Sequence, residues 1–223
     1  DILQTWSDSH SGQDWSVVAQ EIGGKGRSAS VRGNSWYEPA SIYKIYSSYT
    51  VSKRVGLANM DKISINVGGQ KKTIRQCFEA MLLYSDNPCG EAVSSYVGWW
   101  RIEEDMHKLG LKNTFLNRKD SNFTTSEDAN LYLQQLYQGK LFSAQDREYV
   151  LGLMQKQQLR SGIPAGCEGC AVANKTGDLS NVRHDAAIVQ SGGKTYVLTI
   201  FTSGAKYADI AKLTKTINDY MTK

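Results

Sequence analysis

A chain of 223 residues, 40% hydrophobic and 22% charged, can bury a full core and fits one large domain or two intimate lobes better than a disordered segment. No window holds the apolar run that a membrane span needs, and a net charge of +4 spread over scattered Lys and Arg residues makes no electrostatic case for nucleic acid. The sequence opens on Asp1 rather than Met and shows no charged-then-apolar leader at its start, which suggests a processed or trimmed chain.

DILQTW has the pattern of a short helix start. DWSVVAQEI and RSASVRG alternate like two strands joined through GGKG, an opening hairpin. From Ala40 the spacing turns helical through IYKIYSSYTVSKRV, TIRQCFEAMLLYS, CGEAVSSYVGWWRIEEDMHKLG, SEDANLYLQQLYQG and SAQDREYVLGLMQKQQ. After the GIPAGCEGC loop, AVANKT, HDAAIVQ and KTYVLTIFTS read as three strands, the last two joined by a tight SGGK turn. KYADIAKLTKTINDYMTK closes the chain as an amphipathic helix. Pro39, Pro88 and Pro164 fall at segment starts, which agrees with these boundaries.

The fold class is therefore α/β in the α+β sense, an antiparallel sheet with terminal helices plus an inserted all-helical lobe. Residues 1–54 and 165–223 form the α/β lobe and 55–164 the helical lobe of a single domain. A crevice between the lobes is the natural place for a site.

Four cysteines, Cys77, Cys89, Cys167 and Cys170, make an even count, and GCEGC can close a small loop in an oxidising compartment; free thiols in a cytosolic protein are the alternative. A zinc site needs a second ligand pair that His10, His107 and His184 do not obviously supply, so neither metal nor cofactor is expected.

Ser-x-x-Lys should occur roughly once by chance in a chain of this length. Ser41 with Lys44, Ser191 with Lys194 and Ser203 with Lys206 all fit, but only the first pair lies one turn apart on a helix face, where an amine reaches a hydroxyl. Ser85-Asp86-Asn87 then follows a helix, and Lys175-Thr176-Gly177 ends an apolar strand. Alone, Ser41 is an N-cap candidate, Asn87 a turn residue before Pro88 and Lys175 a strand-edge charge. Tyr43, Tyr46, Trp99 and Trp100 read as packing.

The ordered set S-x-x-K, S-D-N, K-T-G resembles the signature of the penicillin-recognising serine acyl-transferases, which include class A β-lactamases and penicillin-binding proteins. RSGIPAG leading into VANKTGDLSNVRHDAAIV, and TTSEDANLYLQQLYQG, are also similar to segments of class A β-lactamase-related serine hydrolases. The resemblance implies a β-lactamase/transpeptidase-like fold and an acyl ester on Ser41. Lys44 would take the Ser41 proton, its pKa depressed by burial and by Lys175 as a nearby cation. Ser85 would relay protons between the two lysines, and the backbone N–H groups of Ser41 and Asp178 would hold the oxyanion. Asn87 would bind the substrate amide, with Lys175, Thr176, Gly177 and either Arg183 or His184 at the substrate carboxylate, Arg183 being preferred for its bidentate geometry.

One departure stands out. In class A β-lactamases a long loop carries the Glu that activates the deacylating water. Here LKNTFLNRKDSNF fills that place, shorter by about a dozen residues. Its only carboxylate is Asp120, and Asn113 stands where aligning Leu116-Asn117 would put the Glu. The expected partner is a small-molecule β-lactam or a peptidoglycan-type peptide, met by a monomer in a secreted, periplasmic or cell-envelope setting. A penicillin-binding DD-peptidase-like protein and a non-catalytic β-lactam or cell-wall sensing module are the alternatives.

Overall fold

The computed structural model describes residues 2–223, so Asp1 of the first predicted helix lies outside the described residues. Helix α1 (Ile2–Ser9) leads into β1 (Asp14–Glu21) and β2 (Ser28–Val31), and a 3₁₀ turn (Ala40–Ile42) runs straight into α2 (Tyr43–Val55). The helical stretch then holds a small hairpin, β3 (Ser64–Val67) and β4 (Gln70–Thr73), before α3 (Ile74–Leu83), α4 (Asn87–Val97), α5 (Trp99–Lys108), α6 (Ser126–Tyr137) and α7 (Ala144–Gln155). Strands β5 (Ala171–Leu179), β6 (Val182–Ser191) and β7 (Lys194–Ser203) and helix α8 (Tyr207–Met221) complete the chain. No described helix is long and apolar enough to cross a membrane.

The main sheet has the order β2-β1-β7-β6-β5 with every pair antiparallel. Its central strand β7 is buried on both faces, which is why KTYVLTIFTS reads as a nearly unbroken apolar run. Side chains still alternate with period two. Tyr196, Leu198 and Ile200 pack with Ile210, Leu213, Ile217 and Met221 of α8, while Val197 and Phe201 join the larger core of the helices. Ile45, Tyr46 and Val51 of α2 belong to that larger core, so α2 is wedged between sheet and helices. A buried amide fastens α6 to the sheet: Asn130 Nδ2 donates to the carbonyls of Val18 (3.1 Å) and Val197 (3.3 Å).

Two local expectations are corrected. The stretch CGEAVSSYVGWWRIEEDMHKLG, expected as one helix, breaks at Gly98, whose φ of +96° is outside helical range. The β3–β4 hairpin was not expected at all; Gly68 and Gly69, at φ +59° and +84°, make the two-residue turn that lets SINV pair with QKKT. Thr73 then caps α3 through a reciprocal hydrogen-bond pair with Gln76.

Cys77 on α3 is bonded to Cys89 on α4, and Cys167 to Cys170. The first bond closes a loop with a sequence separation of 12 residues, a constraint on the unfolded chain worth about 3 kcal/mol. Replacing both Cys77 and Cys89 by Ala should lower the unfolding free energy by about that amount in guanidinium titrations under oxidising conditions. An unchanged midpoint and slope would show that the pair is not bonded in solution.

Candidate active site

The approach to Ser41 is held from both sides. Tyr37 and Thr124 exchange two backbone hydrogen bonds of 3.0 Å, and the carbonyl of the next residue, Glu38, accepts a 2.9 Å bond from His184 Nε2. Ala40 is forced to φ +45°, a left-handed conformation that a residue with a Cβ adopts only under compensation. On the far side, β5 lies hard against this turn. A Cβ on Gly177 would come within 3.1 Å of Ile42 Cγ1 and 3.2 Å of the Pro39 carbonyl, so this glycine, expected to bind substrate, is needed for packing.

Lys44 sits one turn beyond Ser41 and is fully buried. Its Nζ donates to Ser41 Oγ at 2.8 Å, to the Ser85 carbonyl at 2.7 Å and to Asn87 Oδ1 at 2.5 Å, with Ser85 Oγ at 3.4 Å. Ser85 presents both oxygens to the amine from a left-handed conformation, φ +59°. Helix α4 begins immediately after it, with Asp86 as its N-cap accepting from the Cys89 amide and Pro88 in its first turn. This α4 start carries Asn87 to Lys44, and Gly90 permits the close approach: a Cβ there would lie 2.6 Å from Lys44 Cε and 2.8 Å from the Tyr43 hydroxyl.

The second lysine, Lys175, enters from β5 and is also fully buried. Its Nζ donates to Ser85 Oγ at 2.8 Å and to the Thr176 carbonyl at 2.8 Å, so the Ser85 hydroxyl stands between the two amines. Gln157, just beyond α7, was not anticipated. Its buried Oε1 accepts from Lys175 Nζ (3.4 Å) and Thr176 Oγ1 (3.3 Å), while its Nε2 donates to the Asn174 carbonyl (2.9 Å). Thr176 is accordingly buried.

Burial draws the Lys44 pKa down to about 8, opposed by the charges of Asp86 and Glu91. Burial is one of the two causes expected for Lys44; Lys175, the other, does not act on it, and is itself pulled well below the lysine range by burial first and by the Lys44 charge second. Beside Lys175, Asp185 is pushed up to about 7 by burial, against hydrogen bonds from Asn174 Nδ2 (2.9 Å) and the Ile163 amide (2.7 Å).

Arg183 and His184 differ in exposure. His184 is buried and stacked on Phe201, with ring centroids 4.3 Å apart, so it does not face the site. Arg183 reaches the surface and pairs with Asp178 at 3.1 Å, while donating to the Ser180 and Val182 carbonyls at the β5–β6 turn. Asp178 faces the cleft with Ser41.

Above Ser41 opens a cleft of about 570 Å³ whose walls include Ser41, Tyr43, Asn87, Glu91, Trp99, Leu116, Asp120 and Asp178. Tyr43 and Trp99, expected as packing, form an aromatic wall with ring centroids 5.0 Å apart. Tyr46 is wholly buried, and Trp100 points outward at 53% exposure. The short connection supplies the opposite wall. Glu103 Oε2 accepts from the amides of Leu116 (2.7 Å) and Asn117 (3.0 Å), which pins that segment to α5. Among the signals missed, only Gly90 was legible, as an isolated glycine inside a helical pattern.

His184 supplies a pH test. Its Nε2–H is committed to Glu38 and its Nδ1 accepts from the Thr202 amide (3.3 Å), so the ring is neutral, and burial lowers its pKa to about 4. The unfolded chain takes up this proton near pH 6.5 and the fold only near 4, so stability should fall as pH drops through that window, by roughly 3 kcal/mol in all. Asp185 contributes with the opposite sign, so the comparison is between parent and His184→Asn. The variant's stability should decline less steeply by about one proton between pH 6.5 and 4, read from denaturant midpoints. Parallel curves would contradict this assignment.

The profile of the beta-lactamase enzyme family matches residues 1–221. No curated protein sequence matches the chain. Among solved structures, a mutant of PBP-A, captured as an acyl-enzyme complex with penicillin G, superposes with a TM-score of 0.86 at 19% identity, covering 98% of this chain and 95% of that one. TLA-1 extended spectrum beta-lactamase gives 0.88 at 19% identity over 100% and 98%, and the beta-lactamase from Sphaerobacter thermophilus DSM 20745 gives 0.85 at 19% over 98% and 97%. At these identities the structures establish the fold, a β-lactamase-like antiparallel sheet with helices. The match of the family profile over nearly the whole sequence goes further, and the chain belongs to the beta-lactamase enzyme family.

Proposed function

We propose that the protein is a serine hydrolase that forms an acyl ester on Ser41 Oγ with β-lactams or with D-Ala-like peptides. The observation that carries this reading is the 2.8 Å contact between Ser41 Oγ and an Nζ that burial holds near pKa 8. Neutral Lys44 takes the Ser41 proton as Oγ attacks the substrate carbonyl. The proton then passes by Ser85 Oγ, which touches both amines, to the leaving nitrogen. The Ser41 and Asp178 amides are assigned to the oxyanion, Asn87 to the substrate amide, and Lys175, Thr176 and Arg183 to a substrate carboxylate. We place the protein outside the cytoplasm, where two disulfides persist.

A second reading, a penicillin-binding DD-peptidase-like protein with a long-lived adduct, is favoured by one feature. Residues 109–125 hold a single carboxylate, Asp120. The acyl-enzyme trapped in the PBP-A mutant supports the first chemical step in either case.

A timed intact-mass series with benzylpenicillin separates these readings. The parent should gain the mass of one penicillin, and Ser41→Ala should gain none. Rapid loss of the adduct marks a hydrolase and persistence a penicillin-binding protein; neither adduct nor penicillin consumption would sink the acyl-transfer proposal. Because the base must be neutral, the acylation rate should rise about tenfold per pH unit below pH 8 and level off above it. A flat profile from about pH 6 to 9 would exclude Lys44 as the base.

Gly90→Ala gives a second check. The added methyl meets the ends of two side chains, Lys44 at Cε and Tyr43 at its hydroxyl, while alanine favours the helix by up to about 1 kcal/mol. The variant should fold normally yet acylate about 10²-fold more slowly, as a displacement of around 1 Å allows. Parent-like acylation would show that the position of Lys44 is not critical.

A further inference from the structure

We propose that Glu91 on α4 is the general base for the water that hydrolyses acyl-Ser41, the role for which the 109–125 connection offers no glutamate. This rests on the acyl-Ser41 reading above.

Four carboxylate residues line the cleft: Glu38, Glu91, Asp120 and Asp178. Asp178 is engaged by Arg183 at 3.1 Å. Glu38 and Asp120 lie on irregular connections, outside any helix or strand. Glu91 differs in three ways. It stands one helical turn after Asn87, whose Oδ1 is 2.5 Å from Lys44 Nζ and 3.5 Å from Ser41 Oγ, and residues four apart on a helix share one face. The neighbouring Gly90 lets α4 lie close to Lys44 and Tyr43, where even a Cβ would collide with both. The Glu91 carboxylate has no hydrogen bond or ion pair among the described residues, so its lone pairs are free for water.

Electrostatics agrees with this placement. The Glu91 charge acts to raise the pKa of both Lys44 and the Tyr43 hydroxyl, against burial at Lys44 and with it at Tyr43. Tyr43 and Trp99 line the same cleft as an aromatic wall. On the facing wall Leu116 is pinned by Glu103, and the one carboxylate there is Asp120.

The step balances without any further reagent. Water oxygen adds to the ester carbonyl as one of its protons passes to the Glu91 carboxylate. The tetrahedral adduct then collapses, the bond from the carbonyl carbon to Ser41 Oγ breaks, and Oγ takes up that proton. A carboxylic acid and the Ser41 hydroxyl result.

The test is single-turnover intact-mass kinetics with benzylpenicillin on the parent, Glu91→Gln, Glu38→Gln and Asp120→Asn. Glu91→Gln should acylate within about twofold of the parent and release its adduct about 10² times more slowly, the range of a lost general base. The other two variants should release at the parent rate. Release from Glu91→Gln at the parent rate, or slowing in Glu38→Gln or Asp120→Asn instead, overturns the assignment. Weaker substrate capture by Glu91→Gln with unchanged release also overturns it, and makes Glu91 a binding residue for a cationic substrate group. A parent adduct that never releases defeats the Glu91 role and leaves acylation at Ser41 intact, whereas a parent that forms no adduct and consumes no penicillin defeats the acylation reading itself.

Discussion

Removing a lysine amine from water costs several kcal/mol unless acceptors replace the solvent, and Lys44 is fully buried with oxygens of Ser41, Ser85 and Asn87 around its Nζ. Features that would otherwise be local costs follow from supplying those acceptors. Ser85 takes a left-handed backbone so that its carbonyl and hydroxyl both face the amine. Helix α4 has to begin at Asn87, which Asp86 and Pro88 enforce, and it has to lack a Cβ at Gly90. The Cys77–Cys89 bond ties α3 to the first turn of α4 across the Ser85 turn.

The sheet contributes the second half of this arrangement. Lys175 comes from β5 to meet the same Ser85 hydroxyl, and Gln157 and Asp185 line its burial site. One residue before Asp185, His184 reaches out of β6 to hold the Glu38 carbonyl, three residues ahead of Ser41. Sheet and helices are thus joined through polar contacts as well as through a common apolar core. The two strained residues at the site, Ala40 and Ser85, are each fixed by packing from both sides, the condition under which about 1–3 kcal/mol of backbone strain can persist.

Much of this was legible because it is carried by period and by rare triplets. Strand β7 shows as an apolar run bounded by glycine-containing turns, and α8 shows its stripe at Ile210, Leu213 and Ile217. SDN and KTG mark positions where backbone geometry and side-chain chemistry are demanded together, SDN at Lys44 itself and KTG at the Ser85 hydroxyl. The unread parts have other causes. The β3–β4 hairpin is short and polar, so SINV and QKKT have too few apolar residues to show a period; only the Gly68-Gly69 pair marked it. The break at Gly98 was hidden because the apolar spacing on either side is helical. Gln157 lay beyond reach, since a glutamine just past a helix has no pattern until the fold brings β5 beside it. Tyr43 and Trp99 were read as packing because an aromatic pair lining a cleft and one filling a core have the same spacing.

Acylation and release are consequently held by different kinds of structure. Ser41, Lys44, Ser85 and Lys175 are set by buried contacts from two helices and a strand, so their geometry is over-determined and depends on the stability of the fold. Glu91 is exposed, unpaired and attached to that frame only through the helix that also carries Asn87. Its position is therefore inherited from the acylation machinery. A base on the 109–125 connection would instead depend on the contacts that pin that segment to Glu103, and would be free to change with it. Placing the base on α4 ties the lifetime of the ester to the same helix start that buries Lys44, so the second step of the reaction needs no structural element beyond those required for the first.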